Sequence, residues 1–212
     1  MRDINSERTA IHEAGHATVA ILKHVLVTGL RIFDTSEEID GKMIAGLCTR
    51  VAAPDWHTEI SILVAGAAAE AAYFKDPFPR FYDGGWSDFG EAFNHALELV
   101  RPKAPEEFSH YLENDADDFL CAVRDGWYPP GLHGQAKRRL TLYAKRYGEA
   151  SDFACDLVHQ EAKRVTRLFQ TDSAHKKLCG ELASSLQRTG ALTTHDILEC
   201  LEGLSHRCGE HD

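Results

Sequence analysis

Two histidines and a glutamate near the start of the chain stand at a spacing that suits metal-assisted hydrolysis: His12-Glu13-Ala14-Gly15-His16. On a helix, residues four apart share a face, so the two imidazoles stack about 6 Å apart along the axis. Two neutral imidazoles so placed can bind one Zn2+ at roughly 2.1 Å each. Glu13 points next to that face, where it can take a proton from a water whose pKa a metal has lowered. Gly15 removes a side chain close to the metal and lets another element approach. The competing explanation is a pair of surface or capping histidines on an amphipathic helix. Ala10, Ile11, Ala14, Ala17 and Ala20 argue instead for a buried helix, in which two unpaired histidines would be costly.

A tetrahedral catalytic site needs a third protein ligand and leaves one position for water. Glu70, Asp83, Asp88 and Glu91 are the carboxylates to weigh. Glu70 lies in an alanine-rich helix, where a lone acid needs a partner; it suits a ligand, a salt bridge, or an acceptor for the far nitrogen of a metal-bound histidine. Asp88 follows Gly84-Gly85 at the mouth of a helix, where the dipole favours an acid in any case. Spacing alone does not choose between the two.

The elements that must position these groups are mainly helical, with a small β-sheet or hairpin after the first helix: a mainly α (α+β) fold. The first helix is expected from about Ser6, its N-cap, to His24. Leu26 to Phe33 and Ile44 to Ala52 are rich in β-branched and apolar residues and read as strands, joined by a solvated loop over Asp34 to Lys42. A second helix runs from Pro54 to about Phe74. Lys75 to Trp86, with two prolines and two glycines, is a loop. Helices follow from Ser87 or Asp88 to Val100, over Glu106 to Arg124, over Gln135 to Thr171 with a break at Gly148, over Ser173 to Thr189 with Gly190 as its terminating residue, and over Thr194 to Leu204, capped by Thr193 or Thr194. Residues 1–212 read as one domain, with no internal repeat.

Of the 212 residues, 43% are hydrophobic and 26% charged, ordinary values for a globular protein. The formal charge of −10 argues against nucleic acid or an anionic membrane surface as the main partner. The longest apolar stretch, Ile60 to Phe74, is too short to span a bilayer and is interrupted by Ser61 and Glu70. The polar N-terminus has no apolar secretory core. Cys48, Cys121, Cys155, Cys179, Cys200 and Cys208 include no Cys-x-x-Cys pair and read as buried thiols in a reducing compartment. The chain is therefore expected in the cytoplasm.

Longer segments resemble a known family. Thr9-Ala10-Ile11-His12-Glu13-Ala14-Gly15-His16-Ala17-Thr18-Val19-Ala20 resembles the start of the peptidase domain of the FtsH family, the M41 zinc metallopeptidases. Ile60-Ser61-Ile62-Leu63-Val64-Ala65-Gly66-Ala67-Ala68-Ala69-Glu70 is similar to that family's helix ending in Ala-Ala-Glu. Gly84-Gly85-Trp86-Ser87-Asp88-Phe89 looks like its Gly-Ala-x-Asn-Asp-Leu segment, with Ser87 where the family has asparagine. Leu182-Ala183, Leu186, Gly190-Ala191-Leu192-Thr193 and Asp196-Ile197 resemble its closing helices. The resemblance implies a helical zincin-type peptidase domain in which His12, His16 and Asp88 bind Zn2+, Glu13 is the general base, and Glu70 supports from behind. No Gly-x-x-x-x-Gly-Lys-Ser/Thr loop occurs, so the family's ATPase module, like its membrane segments, has no counterpart here. The stretch 102–148 has none in the family either and is expected to be an insertion.

Other residues are more ambiguous. Phe78, Phe81, Tyr82 and Trp86 suit a lid or, more simply, pins holding the loop to the core. The Ile44 to Ala52 strand suits an edge for an extended peptide or an ordinary core strand. His95, two turns after Asp88, suits a ligand-orienting role or a solvent-facing side chain. The expected function is an ATP-independent zinc peptidase acting on flexible or unfolded protein segments. The alternative is a catalytically inactive, zinc-stabilised interaction or adaptor domain. A homo-oligomer or a partner protein fits either.

Overall fold

The computed structural model describes residues 4–39, 42–76, 86–112 and 116–208. These residues are mainly helical with a small three-stranded antiparallel sheet, the expected α+β class. The chain divides into two compact units, Met1–Ala92 with Val158–Asp212, and Phe93–Leu157.

The first unit is built around helix α1 (Ile4–Leu22). Every residue from Ala10 to Ala20 is buried, the signature of a helix enclosed by its own domain. The helix starts two residues before Ser6, which therefore lies in its first turn and not at its cap. It ends earlier than expected because His24 turns into the left-handed region at φ 60. That turn lets the Val25 N–H reach back to the Ala20 carbonyl at 2.8 Å, a helix-ending geometry more often supplied by glycine.

Strand β1 (Val27–Ile39) pairs antiparallel with β2 (Lys42–Arg50), Val27 opposite Arg50 and Ile39 opposite Lys42. The strands thus replace most of the loop expected over 34–42. Glu37 and Glu38 are exposed, so these two residues join the ladder through their backbones without burying charge, next to a register shift between Ile32 and Glu37. A third strand, β3 (Ala191–Thr193), pairs with the other side of β1, giving the order β2-β1-β3. It escapes sequence reading because three residues carry no period; its register rests on buried Leu192 opposite buried Leu30.

The single helix expected over 54–74 is two, α2 (Trp56–Leu63) and α3 (Ala65–Tyr73). Asp55, not Pro54, opens α2 by accepting the Thr58 N–H at 2.9 Å. Val64 separates the two at ψ −10, well short of the helical value of about −42°. Ala65, Gly66, Ala67, Ala68, Ala69 and Ala71 of α3 are all buried. This small-residue surface lets α1 come very close: a Cβ on Gly15 would stand 2.6 Å from the Ala65 carbonyl oxygen and 2.7 Å from the Ala69 Cβ. A glycine inside a helix costs about 1 kcal/mol relative to alanine; here the close crossing requires it.

Helix α4 (Trp86–Val100) carries Asp88 in its first turn. In the second unit, a 3-10 turn (Glu106–Phe108), α5 (Ser109–Leu112) and α6 (Ala116–Arg124) replace the one helix expected over 106–124. Phe108, Leu120, Val123, Leu140, Tyr143 and Ala144 form its core. The stretch 102–148 lies inside this unit. Helix α7 (Gly134–Thr171) runs 38 residues without the break expected at Gly148. The Arg124 guanidinium occupies the place where a Cβ of residue 148 would project, which explains a glycine in an unbroken helix. The unit boundaries fall within α4 and α7.

Helix α8 (Ser173–Thr189) matches its expected limits, capped by Asp172 and ended by Gly190 at φ 77. Helix α9 (Thr194–Cys208) extends past the expected Leu204. Thr193 caps it: its N–H donates to Asp196 Oδ2 at 2.7 Å, and its hydroxyl faces the Asp196 N–H at 3.4 Å. No described helix is long and apolar enough to cross a membrane, and no disulfide occurs among the described residues.

Candidate metal centre

The site is assembled from α1, the α2–α3 pair and the first turn of α4. His12 and His16 project from the same face of α1, with ring centroids 4.7 Å apart. Both are buried, as is Glu13 between them. The outward nitrogens converge on one carboxylate oxygen: Asp88 Oδ2 lies 3.0 Å from His12 Nε2 and 3.3 Å from His16 Nε2. Among the described residues, His12, His16 and Asp88 form a group whose ligand atoms all lie within 4.8 Å of one another and that can hold a metal ion.

Each imidazole is held from behind. His12 Nδ1 meets Glu70 Oε1 at 2.7 Å. His16 Nδ1 donates to the carbonyl oxygen of Ile62 at 2.7 Å, in the last turn of α2, where carbonyls are short of intrahelical donors. With both Nδ1 atoms so engaged, both Nε2 atoms point forward, where they donate to Asp88 when protonated and offer their lone pairs to a metal once deprotonated. Glu70 is thereby placed behind the His12 ring, away from the converging nitrogens, while Asp88 stands in front of them.

The space before the nitrogens is bordered by Gly66. A Cβ there would lie 2.5 Å from His12 Nε2 and 2.6 Å from His16 Nε2. The residues thus fit a small cation in two respects: the donor set is two imidazoles and a carboxylate, and the neighbouring helix gives up a side chain where the donors meet. Gly46 of β2 does the same for Glu13, since a Cβ there would stand 2.7 Å from Glu13 Oε1. Neither glycine is visible as functional in the sequence, because each acts by omitting a side chain. The Ile62 acceptor is main chain and leaves no sequence signal at all.

The charges agree with the geometry. Burial disfavours the His12 imidazolium, but hydrogen bonds to Asp88 and Glu70, with the charges of Glu13 and Asp88, outweigh it and raise its pKa well above the ordinary histidine value. Burial also opposes ionisation of Asp88, yet the charge of His16 and the hydrogen bonds from both histidines hold it well below the usual carboxylate range. Burial raises Glu13, partly offset by His12 and His16, which moves it toward the range where a carboxylate exchanges protons near neutrality. Burial and the neighbouring Glu13 carboxylate push up the Cys48 thiol.

Of the remaining candidates, Asp83, Phe78, Phe81 and Tyr82 lie outside the described residues, as does the side chain of Trp86. Glu91 and His95 belong to α4 but not to the converging group. Comparison with known proteins finds no family model that matches the chain and no curated protein that matches it.

Two outcomes follow from this geometry. Gly66→Ala should lower affinity for Zn2+ or Co2+ by roughly tenfold to a hundredfold with the helical circular dichroism signal retained; wild-type affinity in a folded Gly66→Ala chain would contradict the cradle. A proton on His12 competes with a metal, and its pKa is raised, so metal uptake should release protons and affinity should fall as pH falls. Titration calorimetry in two buffers of different ionisation enthalpy measures the release directly, and equal heats in both would contradict it.

Proposed function

We propose that this chain is a zinc-dependent, ATP-independent peptidase acting on flexible or unfolded protein segments. The observation that carries the reading is the convergence of His12, His16 and Asp88 with a buried carboxylate, Glu13, from the same helix. The resemblance of these segments to M41 peptidases supports the same assignment. His12, His16 and Asp88 would hold the ion, and Glu70 and the Ile62 carbonyl would orient the two rings. When bound, Zn2+ supplies Lewis acidity, polarising a peptide carbonyl and lowering the pKa of water.

The chain's own residues account for the proton traffic. Glu13 takes a proton from the attacking water and delivers it to the leaving amine. Its burial keeps competing bulk water away, and the bare Gly46 leaves its carboxylate room to move between the two tasks. Among the described strands, β2 is an edge of the sheet, and Gly46 of that edge is the residue beside Glu13. An extended peptide pairing with β2 through backbone hydrogen bonds would run past the general base. Folded substrates present no such strand, so the substrate we propose is an already accessible segment. Thiols without disulfides suit the cytoplasm, the compartment we assign.

Glu13→Gln removes the proton carrier and leaves the three ligands. It should keep wild-type zinc content and lose hydrolysis of an unstructured, fluorescence-quenched protein substrate by about 10²- to 10⁴-fold. Hydrolysis unchanged in Glu13→Gln would refute the catalytic assignment. A wild-type chain that binds zinc but cleaves no unstructured substrate would instead favour a zinc-stabilised interaction domain.

A further inference from the structure

We propose that Arg8 is a positioning residue for the metal centre, clamping the Glu70 carboxylate so that Glu70 can fix the His12 ring. The inference rests on the reading of His12, His16 and Asp88 as metal ligands. Arg8 lies one turn before His12 on the same face of α1. Its Nη1 donates to Glu70 Oε2 at 3.2 Å, while Glu70 Oε1 engages His12 Nδ1 at 2.7 Å. Its Nη2 donates to Asp76 Oδ2 at 3.3 Å, and its Cζ lies 4.5 Å over the Phe74 ring. An unbroken chain of contacts therefore runs from Asp76 through Arg8 and Glu70 to His12.

The two histidines show why such a clamp is needed. The acceptor behind His16 is a main-chain carbonyl, fixed by α2 itself. The acceptor behind His12 is a side chain whose terminal torsion is broad and soft. One hydrogen bond would leave that carboxylate free to pivot, and the ring with it. Holding both oxygens, one by His12 and one by Arg8, removes the freedom. The planar guanidinium is suited to this because it donates to two carboxylates at once while lying on an aromatic face, which a lysine ammonium does not reproduce. Arg8 also sets its fixed positive charge against two carboxylates at once, Glu70 and Asp76. A purely structural alternative is that Arg8 only staples α1 to the end of α3.

Zinc affinity, measured by competition with a chromophoric chelator, separates these roles. Arg8→Met should weaken zinc binding about tenfold or more, and Arg8→Lys should recover part of the loss. In a Glu70→Ala background, Arg8→Met should change affinity less than about twofold, because the residue it positions is gone. Arg8→Gln carries the same expectations should Arg8→Met not fold. Unchanged affinity in Arg8→Met, or an equal loss with and without Glu70, overturns the positioning role. If wild type binds zinc no better than His16→Ala, the metal reading falls first and Arg8's role with it.

Discussion

Everything at this site depends on holding two imidazoles with their Nε2 atoms forward in a buried place. An unrestrained histidine there would turn to satisfy whichever nitrogen found a partner, since leaving a buried polar atom unpaired is costly. The fold prevents this by giving each Nδ1 a short contact, His12 to Glu70 and His16 to the Ile62 carbonyl. The forward nitrogens then share one acceptor, Asp88 Oδ2. A cation in front of them would exchange the sharing of one oxygen for direct ligation, so the arrangement can hold a metal ion.

The burial of α1 follows from the same requirement. Its ligand face must meet α3 closely enough for Glu70 to reach His12, and only small residues permit that. Gly15 against Ala65 and Ala69, and Gly66 against both imidazoles, show the contact from its two sides. The strands fulfil a second condition, since β2 lays Gly46 beside Glu13 and so places a sheet edge next to that buried carboxylate. The thin alanine core between α1 and α3 buries little side-chain volume; what it provides is proximity of backbones, which larger apolar residues would prevent.

Much of this was legible in the residues. The spacing of His12 and His16, the alanine period of α1, and Gly190 at the end of α8 are local signals, and local signals survive folding. What was not legible is non-local. The choice between Glu70 and Asp88 turns on which side of the His12 ring each occupies, and no spacing encodes that; only the resemblance to a family favoured Asp88. Strand β3 exists because β1 has a second edge to satisfy, not because three residues prefer extension. Residues 37–39 and 42 read as loop by composition but pair through their backbones, and Gly148 reads as a break but makes room for Arg124. In each case a tertiary neighbour overrides the propensity.

The central claim is that His12, His16 and an aspartate, and no cysteine, ligate the metal. X-ray absorption at the zinc edge of the zinc-loaded protein tests it most directly. The account predicts a first shell of nitrogen and oxygen only, near 2.0–2.1 Å, with the outer-shell scattering of two imidazoles. A sulfur shell near 2.3 Å, which would bring in Cys48 or another thiol, or a shell without imidazole scattering, would contradict it.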